Sequence, residues 1–488
     1  MSQQPLVTTA SGPVLGAWQG ESARFLGIPY AQPPVGDLRF AAPVAPEPWT
    51  EPRDATAYGP TAQRRSFGDG PTIIPEPSIP GADILNLNVF TPNPDGAAGL
   101  PVLVWIHGGG YIAGCSSSPW YDGAAFNRDG VVVVTIGYRL GIEGFLHLEG
   151  APDNRAVLDW IAALTWVRDN IAAFGGDPAK VTVAGQSAGG GAVQTLLATP
   201  SAHGLFRAAI SMSGAVRVPQ SREDGVAVAA RFTERTGLPA TAAALRDLGD
   251  DDIQDLQDKV NAPGPEAVVP IDLVLAPFAD GELVPEQVHD AFRDGSAATV
   301  PLMLGATRHE FHMIGAYMAE APIELAGAVL AKFGVAPEAI PTYLALHEGK
   351  NAGELIGEAI TDSFFRGPAT LVAEARAAHG LPTWLYEFDW TSGSPEHGPA
   401  AFHCLDVPFA FDALHAERAV EATGPDAPQA LADAVHGSWV AFIGTLDPGA
   451  DWPAYTPADR ATRLWDTEPT VVPDALGAVR GIWTGIPA

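Results

Sequence analysis

Short, nearly unbroken apolar runs alternate with helical spacing through the middle of the chain. Val102–Ile106 and Val131–Ile136 predict strands buried on both faces. Ala156–Phe174 puts Val157, Ile161, Leu164, Val167 and Ile171 on one stripe, which predicts a helix packed on such a sheet. A strand at Val181–Ala184 is followed by a small-residue helix from Ala188 towards Leu197. Ala208–Met212, Leu302–Gly305 and Leu381–Trp390 repeat the strand pattern. Strands alternating with helices imply an α/β fold, a mostly parallel central sheet covered by helices on both faces.

The flanks read differently. Val7–Trp18 and Arg24–Ile28 predict a hairpin ahead of the parallel core, and Gly27–Phe40, with three prolines, predicts an ordered surface loop. Phe67–Pro80 is rich in Pro and Gly and predicts a long loop or lid. Asp247–Asp258 predicts an acidic helix. Helical insertions are expected between about Ser221 and Val260 and between about Ile314 and Gly380. No fixed-period repeat and no clean linker divides the chain, so residues 1–488 read as one domain.

Composition narrows the chemistry. With 488 residues and 47% hydrophobic positions, the chain can bury a large core. Against 27 basic residues stand 57 acidic ones, a net charge of −30. Such a surface repels phosphate backbones and anionic lipid, so neither nucleic acid nor membrane is an expected partner. The two cysteines, Cys115 and Cys404, make no disulfide framework. The first twenty residues hold no Lys, Arg or apolar run, and the expectation is a cytoplasmic protein.

Two glycine-bearing motifs carry the chemistry. Gly185-Gln186-Ser187-Ala188-Gly189 matches Gly-x-Ser-x-Gly and lies between the predicted strand and helix. That context is a nucleophile elbow, with the hydroxyl exposed on a tight turn at a helix N-terminus. His107-Gly108-Gly109-Gly110 follows strand Val102–Ile106. Glycines there let backbone N–H groups face a substrate oxygen, so Gly109, Gly110 and Ala188 are the expected oxyanion-hole donors. His107 reads as structural, because a better base lies downstream.

With both motifs in place, the sequence resembles the type-B carboxylesterases, the family of bacterial para-nitrobenzyl esterases and animal cholinesterases. The resemblance spans Phe25-Leu26-Gly27-Ile28-Pro29-Tyr30-Ala31, Pro33–Gly36, Arg39-Phe40, Leu85–Val89, Tyr138-Arg139-Leu140-Gly141 and Asn170–Pro178. It implies an α/β-hydrolase fold and a Ser–His–Glu triad in the chain order Ser, Glu, His. Three positions depart from the family pattern. Gln186 stands where Glu usually precedes the serine, Ile84 where a disulfide cysteine is common, and Gly137 where Asn is usual.

A serine hydroxyl needs a base within hydrogen-bond reach, and the base needs an orienting carboxylate. The loop after strand Leu381–Trp390 offers His397 and His403. His403, in Phe402-His403-Cys404-Leu405-Asp406-Val407-Pro408-Phe409, resembles the family's base segment, with Cys404 in place of Gly. The resemblance sets the acid at Glu310, after strand Leu302–Gly305, with Asp362 the competitor. His309 and His312 beside it invite a metal reading, but their spacing misses the His-Glu-x-x-His pattern. No metal and no cofactor are therefore expected. Ser213 is a candidate for a hydrogen bond behind the triad or a strand-end cap. Trp120, Tyr121, Phe311, Met313, Ile314, Tyr317 and Met318 are either pocket lining or core. Cys115 and Cys404 read as inert thiols. The expected function is hydrolysis of small carboxylic esters, neutral ones given the charge, through an acyl-enzyme. Carbamate or amide hydrolysis by the same residues and a non-catalytic binding protein are the alternatives.

Overall fold

A computed structural model describes residues 4–65, 72–214, 221–263, 274–312 and 318–484. Its strands are β1 (Leu6–Thr8), β2 (Pro13–Leu15), β3 (Ala17–Gln19), β4 (Ser22–Pro29), β5 (Arg53–Asp54), β6 (Asn86–Thr91), β7 (Leu100–Ile106), β8 (Val132–Ile136), β9 (Gly176–Gln186), β10 (Ala208–Met212), β11 (Leu302–Thr307), β12 (Thr383–Phe388), β13 (Ala461–Trp465) and β14 (Thr470–Pro473). Eleven form one sheet in the order β14-β13-β12-β11-β10-β9-β7-β8-β6-β4-β3. From β13 to β8 every neighbour is parallel, while β14, β6, β4 and β3 pair antiparallel at the edges.

The apolar runs explain why the sheet needs cover on both sides. Val102, Val104, Ile106, Val132 and Val134 face one buried cluster, shared with helix Arg155–Asn170 and helix Ala188–Leu197. Their neighbours Leu103, Trp105, Val131 and Val133 face a second cluster, closed by helix Gln429–Thr445. Alternate residues point to opposite faces of a strand, so a continuous apolar run serves two cores at once. The predicted stripe on Arg155–Asn170 is buried as expected, with Ile161 half-buried at its margin.

The N-terminal segment makes two hairpins rather than one. β1 and β2 join β5 in a separate three-stranded sheet, whereas β3 and β4 edge the main sheet. The change occurs at Gly16, where a Cβ would stand 2.5 Å from the Arg24 carbonyl oxygen. β4 runs on to Pro29, and Tyr30, Ala31 and Phe40 beyond it are buried, so Gly27–Phe40 is more core than surface loop. Residues 67–71 of the expected lid lie outside the described residues, as do Met313, Ile314 and Tyr317. Thr72–Pro80 has no regular structure but is anchored by Glu76, which accepts a hydrogen bond from the Gly114 N–H (3.0 Å).

The acidic helix forms at Asp250–Asn261, with Ile253, Leu256 and Val260 inward and three aspartates in its first turn, where the helix dipole favours them. The later insertion packs its own cluster, in which Val329, Leu330, Tyr343, Leu355 and Ile356 join helices Ile323–Lys332, Ile340–Leu346 and Ala352–Thr361. Among the described residues no helix is long and apolar enough to cross a membrane.

Candidate active site

β9 ends at Gln186 and the next helix begins at Ala188, which leaves Ser187 on the turn between them at φ +58°, ψ −123°. A non-glycine residue holds such a backbone at a cost of about 1–3 kcal/mol, and only dense surroundings keep it there. The surroundings are dense. A Cβ on Gly189 would stand 2.0 Å from the Ile106 carbonyl oxygen, and one on Gly185 would stand 2.4 Å from that of Gly189. Ser187 N–H donates to the Met212 oxygen (2.9 Å), which ties the elbow to β10.

The glycine loop after β7 lies against this turn. A Cβ on Gly108 would meet the Gln186 carbonyl oxygen at 2.6 Å and the Ser187 Cβ at 3.1 Å. Gly109 (φ +109°) and Gly110 (φ +59°) adopt conformations that favour glycine. The Gly109 oxygen is tied down by the N–H groups of Ile112 and Ala113. The N–H groups of Gly109, Gly110 and Ala188 engage no acceptor among the described residues. His107 takes no part beside the serine. Its Nδ1–H donates to the Gly108 oxygen (2.8 Å), its ring stacks on Tyr138 (4.4 Å), and burial pulls its pKa down to about 3.

His403 Nε2 is 2.8 Å from Ser187 Oγ, and its Nδ1 is hydrogen-bonded to Glu310 Oε2. The other Glu310 oxygen accepts the Thr307 N–H (2.9 Å). The loops that carry Glu310 and His403 are laced together by backbone. His403 N–H donates to the Glu310 oxygen (2.7 Å), and His309 N–H donates to the Ala401 oxygen (2.9 Å). Burial opposes charge on His403, but the Cys404 sulfur and the Glu310 carboxylate outweigh it and hold the imidazole well above the usual histidine range. His397 instead packs on the Phe402 ring and its backbone N–H donates to Ser394 Oγ (3.4 Å), and among the described residues it bonds neither Ser187 nor Glu310. Asp362 is held by Arg366 (2.9 Å) and the Tyr343 hydroxyl (3.0 Å), away from the imidazole that Glu310 orients.

His309 and His312 do not converge on Glu310 as metal ligands. His309 Nδ1 accepts the Ala401 N–H (3.2 Å), and both Glu310 oxygens are already engaged. Ser213 sits at φ +44° with its hydroxyl buried and unpartnered, so it makes neither of the expected bonds. Trp120 and Tyr121 belong to the core, and Met318 packs in the helical cluster. Among the described members of that group, Phe311 reaches the site, stacked on the His403 ring at 4.8 Å. Cys115 and Cys404 are unpaired, and burial raises the Cys115 thiol pKa.

Three contacts were not assigned from the sequence. The Gln186 amide donates to His403 Nε2 (3.3 Å). Phe365 lies 5.3 Å from the His403 ring and stacks on Phe311. Asp406 accepts from the Tyr386 hydroxyl (3.1 Å), and burial, reinforced by Glu310, lifts its pKa to about 7. The motif around His403 contained Asp406, but only the fold brings Tyr386 and Glu310 to it.

A parallel sheet with a serine elbow at the C-terminal end of a central strand defines the α/β-hydrolase class. Within that class the Carboxylesterase family matches residues 3–478, and the chain belongs to it. It is 36% identical to the para-nitrobenzyl esterase of Bacillus subtilis (strain 168), with 96% of each chain covered. It is 33% identical to the phenmedipham hydrolase of Pseudarthrobacter oxydans, over 94% of this chain and 95% of the relative. A solved PNB esterase superposes with a TM-score of 0.84 at 35% identity, over 99% of this chain and 100% of that one. A Geobacillus stearothermophilus carboxylesterase gives 0.87 at 32% identity, over 98% and 100%. The chain is a carboxylic ester hydrolase.

Proposed function

We propose that Ser187, His403 and Glu310 perform the hydrolysis, within a chain that acts as one domain. His403 Nε2 takes the hydroxyl proton as Ser187 Oγ attacks the ester carbonyl. Glu310 fixes the Nδ1–H tautomer and stabilises the imidazolium that results. The oxyanion settles among the N–H groups of Gly109, Gly110 and Ala188, which are free to donate to it. His403 then gives its proton to the leaving alcohol. Water repeats the sequence on the acyl-enzyme and releases the acid. The observation that carries this reading is the continuous line from Ser187 Oγ through the imidazole to Glu310. The chemistry uses no cofactor, and the net charge of −30 favours neutral esters as substrates.

An aryl ester mixed with enzyme on the millisecond scale tests it. A burst of one phenol per chain, followed by slower turnover, is the result expected of an acyl-enzyme whose breakdown is slower than its formation. Ser187→Ala should cost on the order of 10⁶ in kcat. Near-normal turnover by Ser187→Ala would end the proposal. Amides and carbamates run beside the esters rank the alternative substrates directly.

A further inference from the structure

Behind the aromatic pair that packs on His403 lies a second polar cluster. Helix Ile340–Leu346 ends at His347, helix Ala352–Thr361 carries Glu358, and a π-helical turn, Asp362–Arg366, follows at once. A ring nitrogen of His347 and carboxylate oxygens of Glu358 and Asp362 all lie within 4.8 Å of one another. Glu358 is buried, with its side chain 5% exposed, and its Oε2 has no hydrogen-bond partner. His347 Nε2 is also buried and unpartnered. An unmet imidazole nitrogen and an unmet carboxylate oxygen each bear a desolvation cost that mutual pairing would relieve, yet they do not pair.

We propose that His347, Glu358 and Asp362 bind a divalent transition-metal ion, with Zn²⁺ as the type. One imidazole and two carboxylates are a donor set that suits Zn²⁺ and its first-row neighbours. Asp362 spends one oxygen on Arg366, while the other accepts the Tyr343 hydroxyl and retains lone pairs. The Lys350 ammonium bonds the remaining Glu358 oxygen and offsets the charge a metal would offset. Its side chain is 35% exposed and can swing to solvent when an ion enters. The ion would clamp the two helices to the turn that carries Phe365. Its role is to brace the packing behind His403, and it takes no part in the ester chemistry.

The test uses the full chain, stripped with chelator and titrated with Co²⁺ as a spectroscopic probe, with Zn²⁺ melts in parallel. One Co²⁺ per chain with visible ligand-field bands is expected, and Zn²⁺ should raise Tm by on the order of a few degrees. Glu358→Gln and His347→Gln should each weaken binding at least about tenfold, whereas Lys350→Gln, which removes the competing ammonium, should tighten it. His347 is half-buried at a helix end, so its variant should fold even where a Glu358 variant does not. Equal binding by wild type and His347→Gln would assign the ion to surface carboxylates and overturn the proposal. Absence of stoichiometric binding would overturn it too, leaving a water as the occupant.

Discussion

Each side chain of the proposed triad has neighbours that differ in kind. The base works only when neutral, so activity rises as pH climbs through the His403 pKa. The Cys404 sulfur and the Glu310 carboxylate hold that pKa above the ordinary 6.5 against burial, and the acidic limb of kcat/KM should therefore have its midpoint above 6.5. A midpoint at or below 6.5 would count against the environment that Cys404 and Glu310 give the imidazole. The neutral Gln186 amide donates to the same nitrogen that takes the serine proton. Gln186→Glu puts a carboxylate there, which should move the limb to still higher pH. Glu310→Gln leaves the geometry nearly intact but costs up to roughly 10⁴ in kcat, and Glu310→Asp should retain part of the activity. The turn at Ser187 and the glycine loop at Gly109-Gly110 were legible because their demands are local: a tight turn and a close backbone approach need glycines at fixed offsets. The pairing of His403 with Glu310, rather than of His397 or Asp362, could be read only through the family resemblance, because the two residues lie 93 apart in sequence and are joined by the sheet. Gln186, Phe365 and Asp406 had no local signal for their contacts with the imidazole and its acid.

Elements set the tolerance of the site to change. The elbow leaves no room for a side chain, so Gly189→Ala, with its Cβ 2.0 Å from the Ile106 oxygen, should fail to fold or lose several kcal/mol of stability. Asp362 shows what a pattern of apolar positions cannot reveal. Helical spacing marks its segment, but the π-helical turn that pairs it with Arg366 is a feature of backbone hydrogen bonding, and its burial follows from the packed insertion. Asp362→Asn should keep kcat near wild type while lowering stability by roughly 2–3 kcal/mol. That is less than the full cost of breaking a buried ion pair, because Arg366 retains Glu387 at 2.6 Å. Thermal melts and turnover on the same preparation separate the two effects. Six strands of the parallel core, β7 to β12, were readable to within a few residues, since burial on both faces favours apolar side chains there, whereas β13, whose apolar run is broken by Thr462 and Arg463, was not. The N-terminal hairpins were not, because the break at Gly16 depends on a neighbour eight residues away.

At the scale of the whole molecule, charge and fold act on different steps. A net charge of −30 governs approach rather than chemistry. A neutral ester should show higher kcat/KM than its carboxylate-bearing analogue at low salt, and the gap should narrow as ionic strength screens the field. A faster anionic substrate at low salt would place a local cation at the pocket mouth. Ser187, His403 and Glu310 follow the C-terminal ends of β9, β12 and β11, so three segments far apart in sequence meet at one edge of the sheet. The central claim is that one hydroxyl, Ser187, carries the acyl group. Mass spectrometry of the enzyme after a fluorophosphonate probe tests it most directly. The account predicts one adduct per chain, located on Ser187, with ester turnover lost in proportion to labelling and no adduct on Ser187→Ala. An adduct on another residue, or full turnover by a fully labelled enzyme, would contradict it.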